Sequence, residues 1–370
     1  MVLATHRWLH TSAASVERGR RREGVVTSSP LPPTVPPDTA GDFVGAELAE
    51  HPERYTVIVQ DTERRALVAL ESELTRIADG TWGDAPGEPA TSARARAVEA
   101  RLHQVLAPQL EACRRLLSTG YGFVWLRGLP TDLLSPAASA RLYTLLGRGL
   151  GEPVPQNLDG ELITHVRDAG ADPNDPEVRR YRTRAEQDFH TDGADVIGLL
   201  CLSAAAKGGE SRLLSSVRVY RRVLAQRPDL APLLEAPWHF HLPGARARGL
   251  PPTIERPIVT RRGDKVETFY IGWYLDQAQA LDGVPPLDGP RRELLALYRR
   301  TLADSTLHLS MQLAPGDVQW LRNAYILHAR AAYEDGPPPV PPRHLLRLWL
   351  SAPQLDDRTP RFPASTGGGA

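Results

Sequence analysis

Residues 187–204 read QDFHTDGADVIGLLCLSA, and two signals overlap in them. The apolar run from Val196 to Leu202 is a strand pattern. It is preceded by a histidine and an aspartate two residues apart. On an extended chain, side chains at i and i+2 point to the same face. His190 and Asp192 are therefore expected to present an imidazole and a carboxylate together at the mouth of a barrel, with Thr191 pointing away. Two histidines and one carboxylate form a facial triad that leaves three positions open on non-haem Fe(II). The triplet alone is weak evidence, because 11 histidines and 44 acidic residues produce such pairs by chance.

Outward from this stretch the pattern is of short strands. They fall at ELITHV, SRLLSS, APWHFHL, RPIVT (256–260), VETFYIGWYL, LHLSMQL, VQWLRNAYIL and HLLRLWLSA, separated by turn formers and by helices at 217–227 and 289–302. Irregularly spaced strands of this kind predict a sandwich or barrel rather than alternating βαβ units. Upstream, 60–76 and 89–117 read as helices, the second with Val98, Leu102, Val105, Leu106 and Leu110 at helical spacing and Pro108 dividing it. YGFVWLRGLP (121–130) reads as a strand, and a third helix is capped by Ser135 and opens at Pro136. The helices are expected against one outer sheet face.

A third donor is sought elsewhere. His328 ends the apolar run of WLRNAYILHARAAYED; His165, His239, His241, His308 and His344 compete with it on composition alone. In PPRHLLRLWLSAP, a period of two puts Arg343, Leu345, Arg347 and Trp349 on one face. Arginines beside bulky apolar groups suggest an enclosed anion site, since a guanidinium grips a carboxylate bidentately. Water-exposed arginines on an edge strand are the plainer alternative.

Composition narrows the function classes. Lys plus Arg and Asp plus Glu balance at 44 each, so no extended basic surface for nucleic acid or an anionic membrane is implied. No apolar run is long enough for a membrane span. Cys113 and Cys201 make no disulfide framework and read as buried thiols in a cytoplasmic protein. Residues 1–40 are expected to form a loose Pro/Ser/Thr-rich extension, 41–358 a single domain, and 359–370 a loose tail. The arginine-rich start is also compatible with an organellar transit peptide.

LRGLP (126–130), FHTDGADVIGLLCL (189–202), KGGESRLLSS (207–216), LAPGDVQWLRNAYILHARAAYED (313–335) and RHLLRLWLS (343–351) together resemble the TauD/TfdA-like family of Fe(II)/2-oxoglutarate-dependent oxygenases. LGRGLGEPVPQN followed by HVRD is similar to the family's approach to the metal strand. The resemblance implies a mainly β fold with flanking helices, built on a double-stranded β-helix (jelly-roll) core. It implies His190, Asp192 and His328 as iron ligands, Arg343 for the distal carboxylate of 2-oxoglutarate, Ser211 assisting it, Arg347 toward an anionic group of the substrate, and Asn323 behind the distal histidine. Asp192 stands where related halogenases have a small residue, which favours hydroxylation.

The implied reaction consumes O2, decarboxylates 2-oxoglutarate to succinate and CO2, and hydroxylates an unactivated C–H bond of a small, anionic or amino-acid-like metabolite. Gln156, Asn157, Tyr181, Phe269, Tyr274 and Arg347 are expected to line the substrate pocket. A cofactor-independent mononuclear metal oxygenase and a non-catalytic small-molecule-binding or metal-sensing barrel remain open at this point. So does a homo-oligomer using the helical 60–117 region.

Overall fold

The computed structural model describes residues 40–77, 90–157, 160–172, 178–246, 249–263 and 265–355. Apart from Ala40, the extension expected over 1–40 and the tail at 359–370 fall outside the described residues. The first part is helical: α1 (Gly45–Ala49), α2 (Asp61–Val68), α3 (Glu71–Leu74), α4 (Ala90–Val105), α5 (Ala107–Ser118) and α6 (Pro136–Arg148), with β1 (Thr56–Ile58) and β2 (Phe123–Arg127) among them. Then come β3 (Glu152–Pro153), β4 (Ile163–Val166), β5 (Gln187–His190), β6 (Val196–Ser203), β7 (Lys207–Gly208), β8 (Ser211–Ser215) and α7 (Ser216–Gln226). The remainder holds β9 (Pro237–His241), β10 (Thr253–Pro257), β11 (Val259–Arg262), β12 (Lys265–Thr268), α8 (Gly272–Ala278) and α9 (Gly289–Leu302). It closes with β13 (Leu309–Met311), β14 (Val318–Arg322), β15 (Ile326–Arg330), β16 (Tyr333–Glu334) and β17 (His344–Ser351).

Local chemistry explains the helix boundaries. The Ser135 hydroxyl accepts the Ala138 N–H at 3.3 Å and Pro136 lies in the first turn of α6, where its missing N–H costs nothing. The 89–117 stretch is two helices because Leu106 leaves helical geometry and Pro108 sits in the first turn of α5.

Two sheets face each other. The larger has the order β1-β2-β14-β6-β17-β3, with β4 also on β17; the smaller is β13-β8-β15-β5. Alternation along the strands sorts their side chains. Leu346, Leu348 and Leu350 of β17 and Trp320 of β14 pack outward against Leu102, Leu110, Leu142 and Tyr143 of the helical layer. Ile197, Leu213, Leu321 and Ile326 fill the space between the sheets. Leu214, Leu327 and Ala329 face the other way, onto α7 and α9. Opposed sheets with an apolar interior and an outer helical layer are the arrangement expected of a jelly roll.

Three expectations need correction. VETFYIGWYL (266–275) is a strand only as far as Thr268; from Gly272 it is helical. Its β-forming aromatics are overridden by tertiary contacts, since Tyr270 accepts the Thr191 N–H and Ile271 bridges His190. VQWLRNAYIL is two strands in different sheets, the chain crossing between them at Asn323–Tyr325, so His328 lies within β15 rather than at the end of a run. RPIVT divides at Ile258 between β10 and β11.

Candidate metal centre and active site

His190 is the last residue of β5 and stands opposite His328 of β15 in the antiparallel ladder. The two rings are 4.2 Å apart by centroid. Ile326 packs between the sheets, so His328 and Arg330, two and four residues on, point inward with it. Asp192 is not on a strand. It lies in the turn after β5, and the expected i, i+2 pleat does not place it. Asn323 does: its Oδ1 accepts the Asp192 N–H at 2.7 Å, and its Nδ2 donates to Asp192 O at 2.7 Å and Ala194 O at 2.9 Å.

The Nε2 atoms of His190 and His328 stand 3.9 and 3.8 Å from the two Asp192 carboxylate oxygens. One donor atom from each of the three residues lies within 4.8 Å of the others, close enough to hold one metal ion. The His190 Nδ1–H donates to Asp188 O at 2.8 Å, which leaves the Nε2 lone pair facing the cluster. The Gln187 amide meets that lone pair at 3.2 Å. Burial lowers the pKa of both histidines, that of His328 to about 3 with His190 as the second cause. Burial works against ionising Asp192, but Arg347 first and then the two histidines outweigh it and hold the carboxyl at about 2. Neutral imidazoles and an ionised carboxylate are the forms a metal requires.

Arg347 and Trp349 share the inner face of β17. Arg347 Nη1 lies 3.2 Å from Asp192 Oδ2, and Trp349 Nε1 donates to the same oxygen at 3.2 Å. Gln156 braces Arg347: Oε1 accepts from Nε at 2.7 Å, while Nε2 donates to Arg347 O and Leu162 O. Gln156, expected on the pocket wall, is 4% exposed, with its carboxamide engaged by Arg347 and Leu162. Tyr181 lies under the guanidinium, 4.9 Å from ring centroid to Cζ.

A second buried arginine stands at the start of β17. Arg343, just ahead of β17, is buried; its Nη1 has no hydrogen-bond partner and its Cζ lies 4.9 Å over the Tyr333 ring. Gly209, with φ +76°, brings its backbone against the Arg343 side chain, where a Cβ would come within 3.1 Å of Nε. Ser211 projects inward from β8 and donates to Gln319 Oε1 at 2.8 Å.

Trp273 of α8 lies 5.1 Å from the His190 ring, and Arg180 lies over Trp273 at 4.9 Å while pairing with Asp188 at 3.1 Å. Burial raises the Tyr274 hydroxyl pKa, with Arg179 acting against it. Phe269 packs against Phe240 at 4.9 Å, beneath Arg256, in the cluster that also takes in Tyr274. Asn157 is engaged with Glu161, donating to its carboxylate at 2.6 Å. The competing histidines are placed elsewhere. His165 and His344 bond each other at 2.7 Å, His239 and His241 lie beside Glu255 and Gln277, and His308 bonds Leu302 O. Trp273, Gln187 and Arg330 were not foreseen as site residues, and Trp349 was placed on the arginine face without a role; the inward period of two from His328 is the signal that finds Arg330.

The family described as taurine catabolism dioxygenase TauD, TfdA family matches residues 85–349. The chain belongs to that family. As a TauD/TfdA protein it is an Fe(II)/2-oxoglutarate-dependent oxygenase, with a double-stranded β-helix core. It is 32% identical over 260 residues to FR-33289 synthase of Streptomyces rubellomurinus, covering 68% of this chain and 74% of that protein. It is 28% identical over 269 residues to the taurine hydroxylase-like protein SAT17 of Stachybotrys chartarum, covering 68% and 66%. Its fold is similar to that of asparagine oxygenase, whose structure holds Fe(II), 3-hydroxyasparagine and succinate; the TM-score is 0.59 at 20% identity, over 80% of this chain and 94% of that one. Among the described residues, no helix is long and apolar enough to cross a membrane.

Proposed function

We propose that His190, Asp192 and His328 are the iron ligands of this TauD/TfdA oxygenase, that Arg343 and Ser211 hold the distal carboxylate of 2-oxoglutarate, and that the prime substrate is a small anionic or amino-acid-like metabolite. The observation that carries the reading is the convergence of three deprotonated donors, from β5, the following turn and β15, within 4.8 Å of one another. Its complement is the buried, unpartnered Nη1 of Arg343, since a desolvated guanidinium donor calls for an anion.

Bound iron and 2-oxoglutarate supply the oxidation of a C–H bond. The chain's own residues arrange the site for it. Asn323 fixes the Asp192 backbone and Asp188 O sets the His190 tautomer. Arg347 keeps the Asp192 carboxyl ionised, with Gln156 holding Arg347 from behind. Trp273 beside His190 and Tyr181 beside Arg347 give the site aromatic walls, and Arg347 and Arg343 give it positive charge. This charge, with the amino-acid and taurine chemistry in the names of the asparagine oxygenase and the SAT17 protein, favours an anionic substrate. Residues 41–358 are read as one catalytic domain, because the helical part shares its core with the outer face of the larger sheet.

The test is an anaerobic titration of Fe(II) and 2-oxoglutarate into the full-length apoprotein, followed by visible absorption. A charge-transfer band that is absent in both His190→Ala and Arg343→Ala is the expected result. A folded protein that binds Fe(II) and gives no band would overturn the assignment of the co-substrate residues. Binding of neither would overturn the ligand assignment.

A further inference from the structure

Arg330 presents the same physical problem as Arg343, and the family resemblance assigns it no role. It lies two residues past His328 on the inner face of β15, paired in register with Ser211 of β8. It is 6% exposed. One of its nitrogens, Nη2, is tied to backbone, donating to Thr183 O at 2.9 Å and to Ala185 O. The other two, Nε and Nη1, are buried with no partner. Among the described residues, neither Arg330 nor Arg343 has a carboxylate within ion-pair distance, and both guanidiniums lie over one ring, Tyr333, at 5.1 and 4.9 Å.

A face of Tyr333 offers each cation some attraction, but it cannot satisfy N–H donors that have been removed from water. Two guanidiniums close to one ring also repel each other. Three orphaned donor nitrogens from two arginines, grouped around one aromatic and beside the Ser211 hydroxyl, therefore make a cationic cradle that lacks its anion.

We infer that Arg330 is a second cationic ligand for the distal carboxylate of the co-substrate, completing with Arg343 and Ser211 a paired-guanidinium clamp. The inference rests on the 2-oxoglutarate reading and extends it to a residue outside the usual pairing of arginine and hydroxyl. Arg330 has a second duty that follows from its geometry. The Nη2 that does not face the cradle holds the 183–185 backbone, which joins the Arg180–Arg182 turn under Arg347 to β5 and His190. The clamp is thereby tied to the chain segment on the substrate side.

The experiment compares two keto acids on the full chain loaded with Fe(II) under argon, using calorimetric titration. 2-Oxoglutarate carries the distal carboxylate and 2-oxovalerate lacks it. For Arg330→Gln, the Kd for 2-oxoglutarate is expected to rise by about tenfold or more, the loss of a charge-assisted hydrogen bond. The Kd for 2-oxovalerate should stay within about twofold of the wild-type value. Arg330→Lys, which keeps the charge but not the fork, should recover part of the difference and serves as the reading variant if Arg330→Gln does not fold. An equal loss for both keto acids would make Arg330 a scaffold residue and overturn the inference. So would an unchanged Kd for 2-oxoglutarate. Wild-type protein that fails to bind 2-oxoglutarate would instead sink the co-substrate reading itself, and this inference with it.

Discussion

The carboxamide of Asn323 is hydrogen-bonded to both backbone polar groups of Asp192, accepting its N–H and donating to its carbonyl, each at 2.7 Å. These residues are 131 positions apart. Asn323 begins the short crossing that carries the chain from the larger sheet to the smaller one, between β14 and β15. The side chain that orients the carboxylate donor is thus fixed by the same crossing that delivers His328. The turn after β5 needs this support because no strand pairing holds Asp192.

Asn323→Ala should therefore weaken metal binding without removing a donor. Outer residues that orient metal ligands are worth about 10–100-fold in affinity, and a loss in that range is expected for Fe(II) or Co(II), measured by anaerobic titration. Asn323→Asp should do no better, since a carboxylate cannot donate to Asp192 O. Wild-type affinity in the alanine variant would show that the turn holds its shape unaided.

Arg347 acts on Asp192 by charge. Burial alone would raise this carboxyl, and Arg347 is the strongest influence bringing it down to about 2. Arg347→Gln keeps an amide beside Asp192 and removes the charge, so the carboxyl should titrate higher. Protons then compete with metal as the pH falls. Co(II) affinity in this variant should drop more steeply than in the wild type between pH 7 and pH 5. Parallel profiles for the two proteins would refute the electrostatic account.

The legible and illegible parts of this chain differ in the range of the interactions behind them. β6, β8 and β17 were readable because their apolar residues repeat within a few positions. The two inward arginines and Trp349 were partly readable for the same reason. The division of 318–327 was hidden, because a strand leaving one sheet and a strand entering another are both apolar when each is buried on both faces. The helix at Gly272 was hidden behind aromatic residues with strand preference. Gln156 could be named but not given its role, since the bond to Arg347 spans 191 positions and no local pattern encodes it.

Gly198 of β6 packs directly against Trp320 of β14 and Tyr143 of α6. A Cβ there would overlap the Trp320 ring and the Tyr143 hydroxyl, two groups stacked with centroids 5.2 Å apart and wholly buried. Gly198→Ala should cost about 1–3 kcal/mol through overpacking, seen as a Tm lower by several degrees. An unchanged Tm would mean that the sheet and α6 can separate at little cost.

Cys113 and Cys201 are free thiols, both buried, and burial is the largest cause raising each to about 12. The thiolate is the reactive form, so the native protein should be inert to Ellman's reagent at pH 8. Both thiols should titrate once the chain is unfolded in guanidinium. Rapid reaction of either thiol in the native state would contradict the packing around α5 or β6.

Acid should destabilise the apoprotein well before its carboxylates titrate. His328 is pushed to about 3 and His344 to about 4, burial being the largest cause for each; His190 and His165 are lowered too. In the unfolded chain each histidine binds its proton near the ordinary value of about 6.5. As the pH falls through that value, the unfolded state takes up protons that the folded state refuses, and stability is lost. The loss continues toward the depressed folded values. Asp192, held near 2, adds its own loss only below the ordinary aspartate range, outside this window. Melting curves of metal-free protein should therefore show Tm falling steadily from pH 7.5 to pH 5. His344→Gln should shallow that slope, because it removes one histidine whose proton uptake favours unfolding. A flat Tm across the interval would mean that the buried histidines accept protons in place.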